Sequence, residues 1–327
     1  MMRIGVFSGQ DLVGDALLKI PFLRGLRACF PEAEITWLTA RASVFSGPMA
    51  AVAERLLDHV VPHCGVGCDW REVMRPAPAL GPFDLLLDTQ SRIGVSLLVR
   101  RLRHRRFVAA AVAARGAGPH MLDGMFALLA TAAARPVLRD LSPLTVPPAL
   151  AAAAAAALPA GPTYVALAPG SGGPHKSWPV DRYAALAAWL VTRGAVPVAL
   201  IGPQDEGLRG ALRAAVPDLL EPEADPAFSF LPPGPQPLRV VAIAARCALG
   251  VANDAGPGHM IAASGTPLVS LFGPTRPEKF RPVMSRDGRC LQAKDYGQGR
   301  KMAELPLSPV QQAIDSMLVQ AANPRGS

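Results

Sequence analysis

Aromatic residues are scarce in this chain, making up 6% of its 327 residues, and nowhere do they interleave with a basic stripe. The formal net charge is +8, which calls for an acidic partner. The shortage of stacking side chains argues for a phosphorylated substrate or an anionic membrane surface over nucleic acid. No uninterrupted apolar stretch reaches the ~18 residues of a membrane span. The apolar run Ile4–Phe7 is too short for a signal peptide, so the cytoplasm is the expected compartment. The five cysteines, Cys29, Cys64, Cys68, Cys247 and Cys290, are odd in number in a long chain, which excludes a secreted disulfide framework. Cys64 and Cys68 lie near His59 and His63, but the spacing is poor for a metal site and reduced thiols are expected. Neither a Walker loop nor a Gly-x-Gly-x-x-Gly fingerprint is present, which sets aside P-loop enzymes and dinucleotide dehydrogenases.

What the chain does contain is apolar residue, at 50%, and 34 prolines that punctuate loops. Short apolar runs alternate with helical stretches. Strands are expected at Arg3–Phe7, Glu34–Thr39, Asp58–Val61, Asp84–Asp88 and Phe107–Ala110. They are expected again at Thr163–Ala168, Pro197–Ile201, Leu249–Ala252 and Leu268–Phe272. Such alternation predicts α/β architecture with parallel sheets covered by helices. Pro147-Pro148 and the alanines of 149–157 interrupt the pattern, and the alanines read as a helix leading out of a first domain. Two Rossmann-like domains are therefore expected, residues 1–155 and 156–308, followed by a C-terminal helix and tail over 309–327. Pro21 marks a potential break in the first helix. Ligands of such sheets bind beyond the C-terminal ends of the strands.

Several loops at those ends carry polar chemistry. Pro169-Gly170-Ser171-Gly172-Gly173-Pro174-His175-Lys176 follows a strand and precedes a helix. Its glycines let backbone N–H groups approach a phosphate, and Lys176 adds a full charge. On the glycines alone, an ordinary strand–helix turn is an equal reading. Asn253-Asp254-Ala255-Gly256-Pro257-Gly258-His259 ends another strand, and the proline suits the first turn of a helix whose N-terminus faces an anion. Asp254 on its own could be an N-cap. Leu271-Phe272-Gly273-Pro274-Thr275 is a strand and rigid turn that could merely shape the site. Gly14-Asp15 places a carboxylate at the first strand–helix turn, either aimed at a substrate or capping the helix. The run Arg100-Arg101-Leu102-Arg103-His104-Arg105-Arg106 could hold an acidic acceptor, meet anionic headgroups or form a plain charged surface.

Taken in order, these segments resemble the bacterial lipopolysaccharide heptosyltransferases, glycosyltransferase family nine. The resemblance also takes in Ala16-Leu17-Leu18, Pro21, Leu26-Arg27, Phe30-Pro31-Glu32-Ala33-Glu34-Ile35 and Ser177-Trp178-Pro179. It implies a GT-B fold, with the two Rossmann-like domains facing across a cleft, and inverting transfer of a sugar from a nucleotide sugar, with ADP-heptose the implied donor. Asp15 then corresponds to the catalytic base and Lys176 to the lysine at the donor phosphate. Gly14, Gly170, Ser171, Asn253, Asp254, Ala255, Gly256 and His259 correspond to substrate-binding positions, and Glu206 to an acid on the ribose hydroxyls. Ala255 stands where the family usually has threonine. Arg100, Arg101 and Arg103 would suit an acidic glycolipid acceptor at the inner membrane. No Asp-x-Asp is present, so catalysis without a metal or other cofactor is expected. A nucleotide-sugar epimerase of the same fold, or a silent sugar-nucleotide-binding protein, are the alternatives; a transfer reaction that depends on Asp15 separates them.

Overall fold

The computed structural model describes residues 1–202, 205–297 and 299–322. The chain divides into two compact units, Met1–Leu141 and Ser142–Ser327. The first unit is built on a parallel sheet in the order β3-β2-β1-β4-β5. Its strands are β1 (Arg3–Phe7), β2 (Glu34–Leu38), β3 (His59–Val61), β4 (Phe83–Asp88) and β5 (His104–Ala109). The central strands are apolar on both faces because both are covered, as parallel sheets require. Strand order reverses at β1, with β2 on one side and β4 on the other. That reversal opens a crevice at the C-terminal strand ends.

The second unit carries β6 (Thr163–Ala168), β7 (Ala195–Ala199), β8 (Leu249–Asn253), β9 (Leu268–Phe272) and β10 (Gly288–Gln292). These also run parallel, in the order β10-β9-β8-β6-β7. Its switch point lies between β6 and β8, so the loops leaving those strands are neighbours. The edge strand β10 was not anticipated. Its sequence, Gly-Arg-Cys-Leu-Gln, is only partly buried and lacks the apolar run of a central strand.

Three expectations are corrected. The helix Val13–Cys29 runs through Pro21 without a break. Leu17, Leu18, Ile20, Phe22, Leu23 and Leu26 are all buried, and that burial offsets the ~3 kcal/mol cost of an internal proline. The units meet at Leu141 and Ser142 rather than at 155/156. The alanine helix, Pro148–Ala157, buries Leu150, Ala153 and Ala154 and packs on helix Pro237–Ala244, so it belongs wholly to the second unit. The C-terminal helix, Leu307–Ala322, is likewise integral: Val310, Ala313, Ile314 and Met317 enter the core with Leu249, Val251 and Val269. Residues 323–327 of the expected tail lie outside the described residues.

At the end of β4, Asp88 is fully buried, with Ser96 Oγ donating to it at 2.5 Å and Gln90 N–H at 2.9 Å. Burial outweighs these bonds and pushes its carboxyl up to about 6. The folded state therefore holds the proton more tightly than the unfolded chain. The resulting stabilisation is present below about pH 4 and is lost as pH rises through about 6. Asp88→Asn should flatten this dependence and gain on the order of 2 kcal/mol over the parent at neutral pH. Urea denaturation across this range checks it; an unchanged pH profile in the variant contradicts it.

Candidate active site

In the second unit, one side chain fastens the polar loops together. Asn253, at the last position of β8, is 1% exposed. Its Oδ1 accepts the backbone N–H of Trp178 at 3.1 Å, and its Nδ2 donates to the carbonyl of Pro169 at 2.7 Å. The obligatory donor and acceptor fix which way the amide points. The Tyr183 hydroxyl lies 3.3 Å from both Asn253 Oδ1 and the Ala168 carbonyl, and burial pushes its pKa up. Both ends of the loop 169–178 are thus tied to the end of β8. Trp178 adds an indole N–H bond to the Leu305 carbonyl at 2.8 Å and an edge-on contact with the Tyr183 ring.

Between those ties the loop turns through a short 3-10 segment, Pro174–Lys176. Ser171 Oγ lies 2.6 Å from Ser177 Oγ and donates to the Gly173 carbonyl at 2.7 Å, which knots the loop on itself. Lys176 Nζ reaches Asp254 Oδ2 at 3.2 Å, and Thr275 Oγ1 donates to the same oxygen at 2.5 Å. The glycine loop, the Asn-Asp turn and the Gly-Pro-Thr turn therefore converge at the ends of β6, β8 and β9. Asp254 is not the helix cap. The N-cap of helix Gly256–Ala263 is Ala255, with no side-chain bond. The N–H groups of Ala255 and Gly256 have no internal acceptor among the described residues, and His259 is buried one turn further on.

Two further features were not read from the sequence. A cavity of about 610 Å³ is lined by His175, Ser177, Pro274, Arg300, Lys301 and Met302, among others, bringing two more cations beside the glycine loop. Gly273 is the legible signal for it: a Cβ there would lie 2.9 Å from Met302 and 3.1 Å from the Arg300 carbonyl. The second feature is the carboxylate of Asp205. It overhangs Gly170, where a Cβ would collide with it, and burial pushes its carboxyl up. Glu206 is instead exposed and paired with Arg209 on the helix surface. The neighbouring Pro203 and Gln204 lie outside the described residues.

In the first unit, Gly14 and Asp15 fall in the first turn of helix Val13–Cys29, whose N-cap is Leu12 with no side-chain bond. Asp15 is half-buried and has no hydrogen bond or ion pair among the described residues. Four residues earlier, Asp11 is the opposite case. Its Oδ1 takes Lys19 Nζ at 2.5 Å and Ser8 Oγ at 2.9 Å, and its Oδ2 takes Trp37 Nε1 at 2.7 Å and Ser43 Oγ at 2.8 Å. Lys19 completes its donors on Ser8 Oγ at 2.7 Å and the Gln10 carbonyl at 3.0 Å. A buried pair so fully bonded is costly to break from one side, by about 3–5 kcal/mol. It clamps the loop after β1 and sets the turn that carries Asp15.

The arginine run divides in use. Arg101 donates to the carbonyls of Glu72 and Arg75. Arg106 donates to those of Thr131 and Ala132, and Arg105 pairs with Asp84. Arg100 and Arg103 are exposed and carry no such bond among the described residues. Among the described residues no three His, Cys, Asp or Glu side chains gather as a metal site would.

Two parallel α/β units with polar loops at the strand ends are the build of GT-B enzymes. The glycosyltransferase family 9 (heptosyltransferase) model matches residues 81–305, and the chain belongs to that family. It is 37% identical over 116 residues to lipooligosaccharide heptosyltransferase 2 of Haemophilus influenzae, a match covering 35% of this chain and 32% of that one. The matched stretch thus spans about a third of that relative's length. Among solved structures, a family 9 glycosyltransferase from Veillonella parvula aligns with TM-score 0.70 at 19% identity, covering 98% of this chain and 97% of that one. The E. coli ADP-heptose lipopolysaccharide heptosyltransferase II aligns with TM-score 0.66 at 22% identity, covering 98% and 99%. At these identities the likeness establishes the fold.

Removing the Asn253 side chain leaves the Trp178 N–H and the Pro169 carbonyl unsatisfied in the interior. Asn253→Ala should cost about 2–4 kcal/mol in the unfolding of the second unit. It should also loosen the glycine loop, seen as faster amide exchange at residues 170–178. Exchange there unchanged from the parent would show that the loop holds without this amide.

Proposed function

We propose that the chain is an inverting glycosyltransferase that moves a sugar, heptose in the first instance, from its ADP derivative to an acidic glycolipid acceptor of the lipopolysaccharide core. On this reading it acts at the cytoplasmic face of the inner membrane. The observation that carries the reading is the convergence of Lys176, Asp254 and Thr275 with the unoccupied Ala255 and Gly256 amides at the ends of three neighbouring strands. Breaking a glycosyl–phosphate bond builds negative charge on the departing diphosphate. A lysine and a helix N-terminus held in place beforehand stabilise that charge without having to reorganise.

The reading assigns the reaction no metal: Lys176, whose charge is shared with Asp254, and the Ala255 and Gly256 amides would face the leaving diphosphate. Arg300 and Lys301 extend the set along the cavity, and Asp205 is a nearby carboxylate for sugar or ribose hydroxyls. Ala255 supplies no hydroxyl, but it contributes through its backbone N–H, which the side chain does not alter. In the first unit Asp15 acts as general base, taking the proton of the attacking acceptor hydroxyl. Its freedom from internal partners suits it to that task, whereas Asp11, fully engaged by four donors, is unsuited. The exposed Arg100 and Arg103 serve acidic groups of the acceptor and of the lipids around it.

Asp15→Ala should lower kcat for transfer about 10²–10⁴-fold while donor affinity stays within a factor of about two. Turnover assays paired with calorimetric titration of the donor measure both. A variant that keeps its turnover overturns the base assignment.

A further inference from the structure

The first unit holds an apolar projection that the reaction does not use. Residues Trp70–Met74 form a single 3-10 turn in which Trp70, Val73 and Met74 are 70%, 61% and 82% exposed. Side chains of this kind on a surface are ordinarily found singly. The turn bearing them is strongly braced. The Glu72 carboxylate accepts three backbone N–H groups, from Gly67 at 2.7 Å, Cys68 at 2.8 Å and Asp69 at 2.9 Å. Asp69 caps the turn at Arg71 N–H, and the guanidinium of Arg101 takes the Glu72 and Arg75 carbonyls. Gly67 has φ +90°, and a Cβ there would run into the Phe7 ring. This is a fixed presentation of apolar side chains to the outside.

Arg101 ties that turn to the end of helix Ile93–Val99, which is itself unusual. Ile93 and Leu97, one turn apart, are 59% and 61% exposed, and with Arg100 and Val112 they border a shallow cavity of about 300 Å³. The surrounding charge is of one sign. Residues 89–122 contain seven arginines and no aspartate or glutamate. Arg71, Arg75, Arg92, Arg100 and Arg103 are exposed, and none pairs with a carboxylate among the described residues.

We propose that the Trp70–Met74 turn and the adjoining Ile93–Leu97 face dock this chain on an anionic bilayer surface. Trp70, Val73 and Met74 enter the headgroup boundary, and Arg71, Arg75, Arg92, Arg100 and Arg103 lie on lipid phosphates. Charge complementarity selects this occupant. A protein partner of similar apolar character would have to neutralise five unpaired arginines, whereas an anionic leaflet supplies negative charge across its whole plane. Tryptophan at the boundary between apolar and wet layers is the residue best suited to such a depth. The inference deepens the glycolipid-acceptor side of the reading above, because docking brings the first unit to where a lipid-linked acceptor resides.

Cosedimentation of the full chain with vesicles tests it. Mixed phosphatidylcholine–phosphatidylglycerol vesicles should bind about tenfold or more tightly than phosphatidylcholine alone. About 1 M salt, where the Debye length is about 3 Å, should release most of the bound chain. The combined variant Trp70→Ser, Val73→Ser, Met74→Ser should lose about tenfold or more in binding to the mixed vesicles. These side chains are exposed, so its melting profile should match the parent. A second variant, Arg92→Gln with Arg100→Gln and Arg103→Gln, should abolish the preference for the anionic vesicles. Equal binding to the two kinds of vesicle, or a serine variant that binds as the parent does, overturns the proposal. ADP titration in the same preparations keeps the readings apart. Failure on vesicles with ADP binding intact sinks the docking surface alone, and failure to bind ADP with docking intact sinks the donor assignment alone.

Discussion

A single buried amide holds the second unit's polar loops in register. Asn253 closes β8 and binds both ends of the glycine loop, through the Pro169 carbonyl and the Trp178 N–H. Asp254 follows directly, so the staple also sets where that carboxylate meets Lys176 and Thr275. An amide suits this position because it both donates and accepts. An aspartate would present two acceptors to a carbonyl, and an aliphatic residue would strand two backbone groups. The cluster of charge at the strand ends depends on this interaction more than on any ion pair, since the Lys176–Asp254 contact is partly solvated and individually weak.

The first unit shows how the placement of hydrogen-bond donors separates two carboxylates four residues apart. Asp11 receives four donors and is sealed in the interior, where it anchors the loop. Asp15 receives none among the described residues and remains accessible. Structural and chemical duties are thereby assigned to different residues of one short segment. The arginine run follows the same division. Arg101 and Arg106 are used up on backbone carbonyls, while Arg100 and Arg103 keep their charge for the outside.

Much of this was legible in the sequence, and the reason is physical. Strands β1, β4, β6, β8 and β9 are apolar along most of their length because both faces are covered, and the glycines at 170 and 273 mark places where a side chain would collide. The order of the Gly14-Asp15, Lys176, Asn253-Asp254 and Gly-Pro-Thr segments carried the family. What stayed hidden depends on contacts distant in sequence. Nothing local distinguishes Asp11 from Asp15 until Trp37 and Ser43 arrive from β2 and its following loop. Arg300 and Lys301 gain meaning only because Gly273 lets that segment approach. The alanine helix gives no sign of which unit it will pack on, since alanine marks helix but says little about a partner. Asp205 and Glu206 are adjacent carboxylates, and only the placement of Gly170 shows which one reaches the loop.

The central claim is that the Asn253-fastened cluster, with Lys176 at its centre, grips a diphosphate. Calorimetric titration of ADP and of adenosine into the parent and into Lys176→Met tests this most directly. The account predicts that ADP affinity falls about tenfold or more, equivalent to about 1.4 kcal/mol, while adenosine affinity is unchanged. Equal ADP affinity in the two proteins, or a matching loss for adenosine, would contradict it.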